Sequence, residues 1–136
     1  MAGSLECTLT TPEEILFEGA VLSVVLPAAD GELGILPRHA PLVCNLGYGE
    51  LRLDVEGGGK SRYFVDGGFL EVLDNHVSIL AASAVGAASI DPAAEDTLIQ
   101  DLESQRPPAE ASFEERERHG RSVAAAKAKR RMVQGG

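Results

Sequence analysis

The sequence predicts an α+β chain, with an N-terminal antiparallel β-sandwich over residues 1–88 and a C-terminal α-helical hairpin over residues 89–136. Three observations lead there. Apolar residues recur with a period of two in the first part of the chain, Gly-, Pro- and Asp-rich turn signals punctuate them at short intervals, and after Ser89 the period changes to that of a helix. The length of 136 residues, with 44% hydrophobic and 24% charged side chains, suits one medium domain with an appendage.

The first strand is read from Leu5, Cys7 and Leu9, which alternate with Glu6, Thr8 and Thr10. A turn at Thr11-Pro12 precedes an apolar run from Val21 to Leu26. The segment Asp30 to Leu42 then packs two acids, two glycines, two prolines and a histidine together. Its glycines permit positive φ and its prolines fix φ, so it is expected to be a long, stiff connection between strands. Beyond a turn at Leu46-Gly47, Leu51, Leu53 and Val55 alternate with charged residues, and Gly57-Gly58-Gly59 closes a hairpin. Tyr63 and Val65 follow, then a turn signal at Asp66-Gly67-Gly68, whose glycines are read as strand entry or a bulge. Leu70 and Val72, the turn Asp74-Asn75, and Val77 and Ile79 complete the β pattern.

Asp91-Pro92 is a helix start, an acceptor at the N-cap with proline in the first helical position. Ala94, Leu98, Ile99 and Leu102 are expected to share one face of a helix over about 92–105, ended by Arg106-Pro107-Pro108. Ser112 and Glu115 form a capping box that opens a second helix, about 113–133. This helix carries a thin apolar stripe and Gly120 at its middle, which costs about 1 kcal/mol relative to alanine. Residues 92–115 hold 1 basic and 7 acidic side chains, and residues 116–136 hold 7 basic and 1 acidic. The two helices complement each other in charge, and such exposed pairs contribute only about 0–1 kcal/mol each.

The net charge of −9 argues against nucleic acid as a partner. No run approaches the roughly 18 apolar residues of a membrane span, and Met1 to Thr11 lacks the pattern of a secretory signal. Cys7 and Cys44 are read as reduced, and with three scattered histidines they make no zinc pattern. Asp30 and Glu32 flank a turn glycine rather than a sugar-sized gap. Nothing forces His39 and Cys44 into hydrogen-bond reach, although a small hydrolase using that pair is one alternative. Gly57-Gly58-Gly59-Lys60 lacks the spacing of a phosphate loop. The residues therefore point to an interaction module without catalytic, metal or cofactor sites.

One run is more specific. Pro12-Glu13, Leu16-Phe17-Glu18-Gly19, Asp30-Gly31-Glu32-Leu33-Gly34-Ile35-Leu36-Pro37-Arg38-His39-Ala40-Pro41-Leu42, Gly49-Glu50-Leu51-Arg52, Gly67-Gly68-Phe69-Leu70-Glu71-Val72 and Asn75 to Ala82 resemble, in order and spacing, the epsilon subunit of bacterial F-type ATP synthases. The resemblance runs from Leu5 to about Asp91. It implies a non-catalytic rotor subunit, peripheral on the cytoplasmic face of the cell membrane, that couples c-ring rotation to the catalytic head through gamma. By position, Asp30 and Glu32 would contact the c ring, and Arg38, His39, Ala40 and Pro41 would contact gamma. The hairpin would act as a regulatory arm. Arg121, Lys127, Lys129, Arg130 and Arg131 are expected to meet the catalytic alpha and beta subunits transiently. Family members that bind ATP on the hairpin use Ile-Asp-x-x-Arg-Ala. Here Ala94 stands at the arginine position, so ATP binding is not expected. The alternative is a stand-alone β-sandwich that binds another partner.

Overall fold

The computed structural model describes residues 3–133. They form two compact units that divide between Gly86 and Ala87. The first holds β1 (Leu5–Thr10), β2 (Ile15–Ala28), β3 (Gly31–Ile35), β4 (Leu42–Asn45), β5 (Tyr48–Val55), β6 (Gly59–Leu73) and β7 (His76–Gly86). The second holds a short 3₁₀ turn, then α1 (Pro92–Ser104) and α2 (Phe113–Met132).

The alternation in β1 turns Leu5, Cys7 and Leu9 inward, where all three are buried. With Val21, Val24, Leu26, Ile35, Leu51, Leu53, Val65, Leu70, Val72, Val77 and Ile79 they make an aliphatic core. Among the described residues, no polar or charged side chain is buried. That core accepts volume changes poorly, as close-packed interiors do.

The strands run in the order β1-β7-β6-β5-β2-β3, with β4 on β6, and β1 also pairs with β2. The five strands β1, β7, β6, β5 and β2 therefore close into a ring. Strand directions cannot alternate around a ring of odd number, so one neighbour pair must be parallel. That pair is β1–β7, with Cys7 beside Val77, which departs from the all-antiparallel expectation. The ring flattens into two layers because its long strands serve both. β2 pairs with β1 through residues 15–21 and with β3 and β5 beyond. β6 pairs with β5 up to Asp66 and with β4 from Phe69.

The passage between layers corrects the reading of Asp66-Gly67-Gly68 as a turn signal with strand entry or a bulge at its glycines. β6 runs straight through it, and its register against β7 is the same on either side, Asp66 with Ser83 and Gly68 with Ala81. The glycines let the strand change partners. Gly67 N–H donates to the Gly47 carbonyl at 2.9 Å, and Gly68 carbonyl accepts from Leu46 N–H at 2.9 Å. A Cβ on Gly68 would lie 2.0 Å from the Leu80 carbonyl oxygen, at a φ of +116°.

The expected long connection from Asp30 to Leu42 is also corrected. Gly31–Ile35 is a strand, joined to β2 by the tight Ala29-Asp30 turn, with Leu33 opposite Leu26 and Ile35 opposite Val24. Leu33 and Ile35 pack toward the core, and that burial outweighs the glycines around them. Only Leu36 to Pro41 remains as connection.

Across β5 and β6, Glu50 accepts from Arg52 Nη1 at 3.0 Å and from Arg62 Nε. Partial burial alone raises the Glu50 carboxyl pKa, but the hydrogen bonds and charges of Arg62 and Arg52 outweigh it and hold the group below the usual range.

In the second unit, Asp91 Oδ1 accepts from Ala93 N–H at 3.1 Å and Ser112 Oγ from Glu115 N–H at 3.1 Å, so both caps form as expected. The apolar face of α1 is thinner than expected, and that of α2 is thin, as read. Ala94 and Leu98 on α1 are exposed, and Ile99 and Leu102 only half-buried. On α2, Ala125 and Ala126 are the buried residues, and Phe113 is 77% exposed.

Two outcomes test this account. Gly68→Ala should destabilise the β unit by about 2–3 kcal/mol through strain at positive φ and overlap with Leu80. Gly34→Ala, whose Cβ meets open space, should change stability by less than about 0.5 kcal/mol in the same urea titration. Glu50 carries a depressed pKa, so its stabilisation is present above the ordinary carboxylate range and lost as pH falls through its folded value. Urea midpoints of Glu50→Gln and the parent should therefore differ at neutral pH and converge in acid.

Candidate interaction surfaces

Two of the surfaces expected from sequence lie at opposite ends of β3. Asp30 is exposed at the tip of the β2–β3 turn, and Glu32 follows on the strand. Glu32 Oε2 lies 3.5 Å from Arg52 Nη1, while the stronger contact of Arg52 is to Glu50. A row of alternating sign, Glu32, Arg52, Glu50 and Arg62, thus crosses three strands. Arg52 leaves Glu32 61% exposed, so this carboxylate can meet a cation or amide on another molecule. Pro27, Gly47, Tyr48 and Gly49 line the groove beside it. Gly49 sits at φ +147° against the Pro27 ring, which brings the backbone of β5 close to the turn.

At the far end of β3, Leu36 to Pro41 is held by backbone bonds. His39 N–H donates to the Leu36 carbonyl at 3.1 Å, closing a turn with Arg38 at φ +68°. Arg38 N–H donates to Asn75 Oδ1 at 2.8 Å, and Asn75 Nδ2 donates to the Ser4 carbonyl at 2.9 Å. Asn75, itself at φ +62° in the β6–β7 turn, therefore ties this connection to the start of β1. Its amide satisfies two backbone groups at once. Arg38, Ala40 and Pro41 are exposed, while His39 is half-buried.

His39 and Cys44 do not form a catalytic pair. His39 Nδ1 lies 2.7 Å from the Ala40 carbonyl oxygen. The Cys44 thiol is pushed up, first by burial and then by the charge of Asp30, which disfavours a thiolate. Cys7 is pushed up to about 12, chiefly by burial.

The structure adds a surface that the sequence reading missed. The outward face of β4, β6 and β7 carries Val43, Phe69 and Leu80, which are 68%, 46% and 38% exposed. Phe69 lies directly opposite Leu80 on β7, and Val43 is diagonal to it across β4. Thr8, Thr10, Glu71 and His76 rim a shallow groove on this face. Thr8 Oγ1 and His76 Nε2 are 3.0 Å apart. The signal was present as a parity violation, because Phe69 next to Leu70 and Leu80 next to Ile79 place large apolar groups on both faces of one strand.

The five cations expected to act in the arm all lie on α2. Lys127 pairs with Glu103 at 3.1 Å, Lys129 with Glu95 at 3.3 Å, and Arg130 with Asp96 at 2.9 Å. These pairs run α2 antiparallel to α1. Arg121 and Arg131 are exposed. Among the described residues, no group of acids, histidines and cysteines could hold a metal ion, and no helix is long and apolar enough to cross a membrane.

The family model for the ATP synthase Delta/Epsilon chain β-sandwich domain matches residues 4–87. The ATP synthase epsilon chain of Leptospira borgpetersenii is 42% identical over 106 residues, which are 78% of this chain and 83% of that one. The epsilon chain of Solibacter usitatus is 50% identical over 91 residues, 67% of each chain. The epsilon chain of Maricaulis maris is 36% identical over 127 residues, 93% of this chain and 92% of that one. In fold, a chain of the Euglena gracilis mitochondrial ATP synthase (OSCP, F1 and c-ring) matches with a TM-score of 0.84 at 23% identity, over 96% of this chain and 82% of that one. A chain of the Tetrahymena thermophila enzyme (central stalk and c-ring) gives 0.69 at 12% identity, over 98% of each. The match to the family model covers more than half of the sequence, and the chain belongs to the ATP synthase Delta/Epsilon family.

Proposed function

We propose that this chain is the epsilon subunit of a proton-translocating F-type ATP synthase. It is a non-catalytic part of the rotor, peripheral on the cytoplasmic face of the membrane, with gamma and the c ring as partners. The observation that carries the reading is the outward face of Val43, Phe69 and Leu80. An apolar patch rimmed by Thr8, Thr10, Glu71 and His76 has the make-up of a protein–protein contact rather than of solvated surface. The Leu36–Pro41 connection lies at the β6–β7 turn, to which Asn75 ties it. Arg38, His39, Ala40 and Pro41 extend the same contact toward gamma.

The c-ring contact falls to Asp30 and Glu32 at the other end of β3. A subunit that carries torque needs its contact points fixed relative to each other. Here a paired strand joins them, in place of a flexible loop. The neighbours of known structure come from assemblies described as containing a c-ring or a central stalk.

The hairpin is the regulatory arm. Three ion pairs, of which Lys129–Glu95 is the most buried, and two buried alanines hold α1 to α2. The more exposed pairs of Lys127 and Arg130 are each worth about 0–1 kcal/mol and weaken with salt. Acidic surface on the catalytic subunits can therefore compete with Glu95, Asp96 and Glu103 for Lys129, Arg130 and Lys127. Arg121 and Arg131 add exposed positive charge to the same helix. No partner for nucleotide phosphate stands at Ala94, and ATP has no assigned role here.

Co-expression with a gamma subunit followed by size exclusion should give one complex. Phe69→Asp with Leu80→Asp should weaken that complex by 10-fold or more, as loss of a central apolar anchor does (about 2 kcal/mol). A chain that elutes alone beside intact gamma would make it a stand-alone β-sandwich module instead. Removal of residues 112–136 should raise ATP hydrolysis by the assembled enzyme, and the intact enzyme should respond more to salt than the truncated one. Equal rates and equal salt response would end the arm's inhibitory role.

A further inference from the structure

The outward face of β4, β6 and β7 holds a carboxylate, Glu71, among its apolar side chains. Along this part of β6 the outward residues are Phe69, Glu71 and Leu73, because Leu70 and Val72 between them are buried. Glu71 stands opposite Val43 on β4 and opposite Ser78 on β7, and Ser78 in turn lies beside Thr8 on β1. Phe69 and Leu73 are 46% and 48% exposed, so apolar groups border the carboxylate along its strand and across to β4. We infer that Glu71 sets the specificity of this face by accepting one arginine side chain of the gamma subunit, a role that rests on the reading of the face as the gamma contact.

The Glu71 carboxylate has no partner of its own. It makes no hydrogen bond or ion pair among the described residues. No lysine or arginine lies in β1, β4 or β7, nor in residues 69–73 of β6. The basic group of the face is His76, diagonal to Glu71. Its Nε2 lies 3.0 Å from Thr8 Oγ1, on the side of β7 away from β6. A cation for Glu71 must therefore come from another molecule.

Docking on Phe69, Leu80 and Val43 would bury this carboxylate with them. An unpaired buried charge costs more than its apolar neighbours return. A partner that brought only apolar surface would thus be rejected, and one that placed a cation over Glu71 would be selected.

Arginine suits the position better than lysine. Its guanidinium spreads five donors over a plane, enough for both carboxylate oxygens and a hydroxyl beside them. Ser78 and Thr10 supply hydroxyl oxygens in the same groove. The plane also stacks on aromatic rings, and Phe69 lines the groove next to Glu71.

The test is competition, in which unlabelled full-length variants displace the labelled parent chain from its complex with gamma. Glu71→Gln and Glu71→Leu should each compete at least about 10-fold more weakly than the parent. Glu6→Gln removes the same charge at the edge of the face, beside His76, and should change affinity by less than about twofold. Glu71→Arg should abolish binding, and charge reversal of one gamma arginine should restore it, a gain that a damaged fold cannot produce. Equal or tighter binding of Glu71→Leu, equal losses in Glu71→Gln and Glu6→Gln, or no gamma reversal that rescues Glu71→Arg would each overturn the pairing and leave the gamma contact standing. A parent chain that forms no complex with gamma would overturn both.

Discussion

Closure of an odd-numbered strand ring is the constraint on which the β unit depends. Because β1 pairs with both β2 and β7, neither side of β1 is an open edge. One neighbour pair then has to run parallel, and the unit accepts the β1–β7 ladder in return for covering those strands. Closure also requires β2 and β6 to serve two layers, so β6 must change partners partway along. Gly67 and Gly68 mark that point, where Leu46 and Gly47 take the hydrogen bonds that a regular ladder would have supplied. The Leu80 carbonyl stands where a side chain on Gly68 would go. A glycine pair that looks like punctuation is therefore a condition of the topology.

The same geometry sets where the interaction surfaces lie. With no polar or charged side chain buried among the described residues, polar function is displaced to the outside and to the ends. The two clusters drawn from the Asp30–Leu42 run are held apart by β3, one near the start of β5 and the other at the β6–β7 turn. Neither depends on long side chains for its position. The backbone of Arg38 is fixed by Asn75, and Glu32 by its place opposite Pro27. The outward apolar face follows from strand parity, since residues that alternate with Leu70 and Val72 must point away from the core.

Much of this was legible in the sequence, for a physical reason in each case. The period of two in β1, β5 and β7 reports burial on one face, which is a local property. The caps at Asp91 and Ser112 are likewise local and formed as read. β3 was hidden because its two inward residues, Leu33 and Ile35, sit among glycines that speak for a loop. The burial that decides the matter comes from β2 and is not local. The parallel pairing of β1 with β7 was hidden because no residue encodes it, and it is a consequence of ring size. For the hairpin, the opposite signs of α1 and α2 were legible, but the pairing of Lys129 with Glu95 and Lys127 with Glu103 depends on how the helices align.

The two units differ in what holds them, and this difference decides which can change state. In the β unit, side chains such as Leu51, Leu53 and Val65 are fully buried, each worth about 1.5–3 kcal/mol over exposure. Removing any strand of the ring would expose several of them at once, so the unit opens only as a whole. In the hairpin, α1 buries no residue and α2 buries two alanines. The area available there is small, and the ion pairs that remain are exchangeable with water, salt or another acidic surface. Helix α2 also has its own cap at Ser112 and cations in its last turn, where they favour the helix dipole. It can therefore stay helical while its contacts with α1 change. A chain built this way joins one unit that cannot rearrange to one whose internal contacts can change.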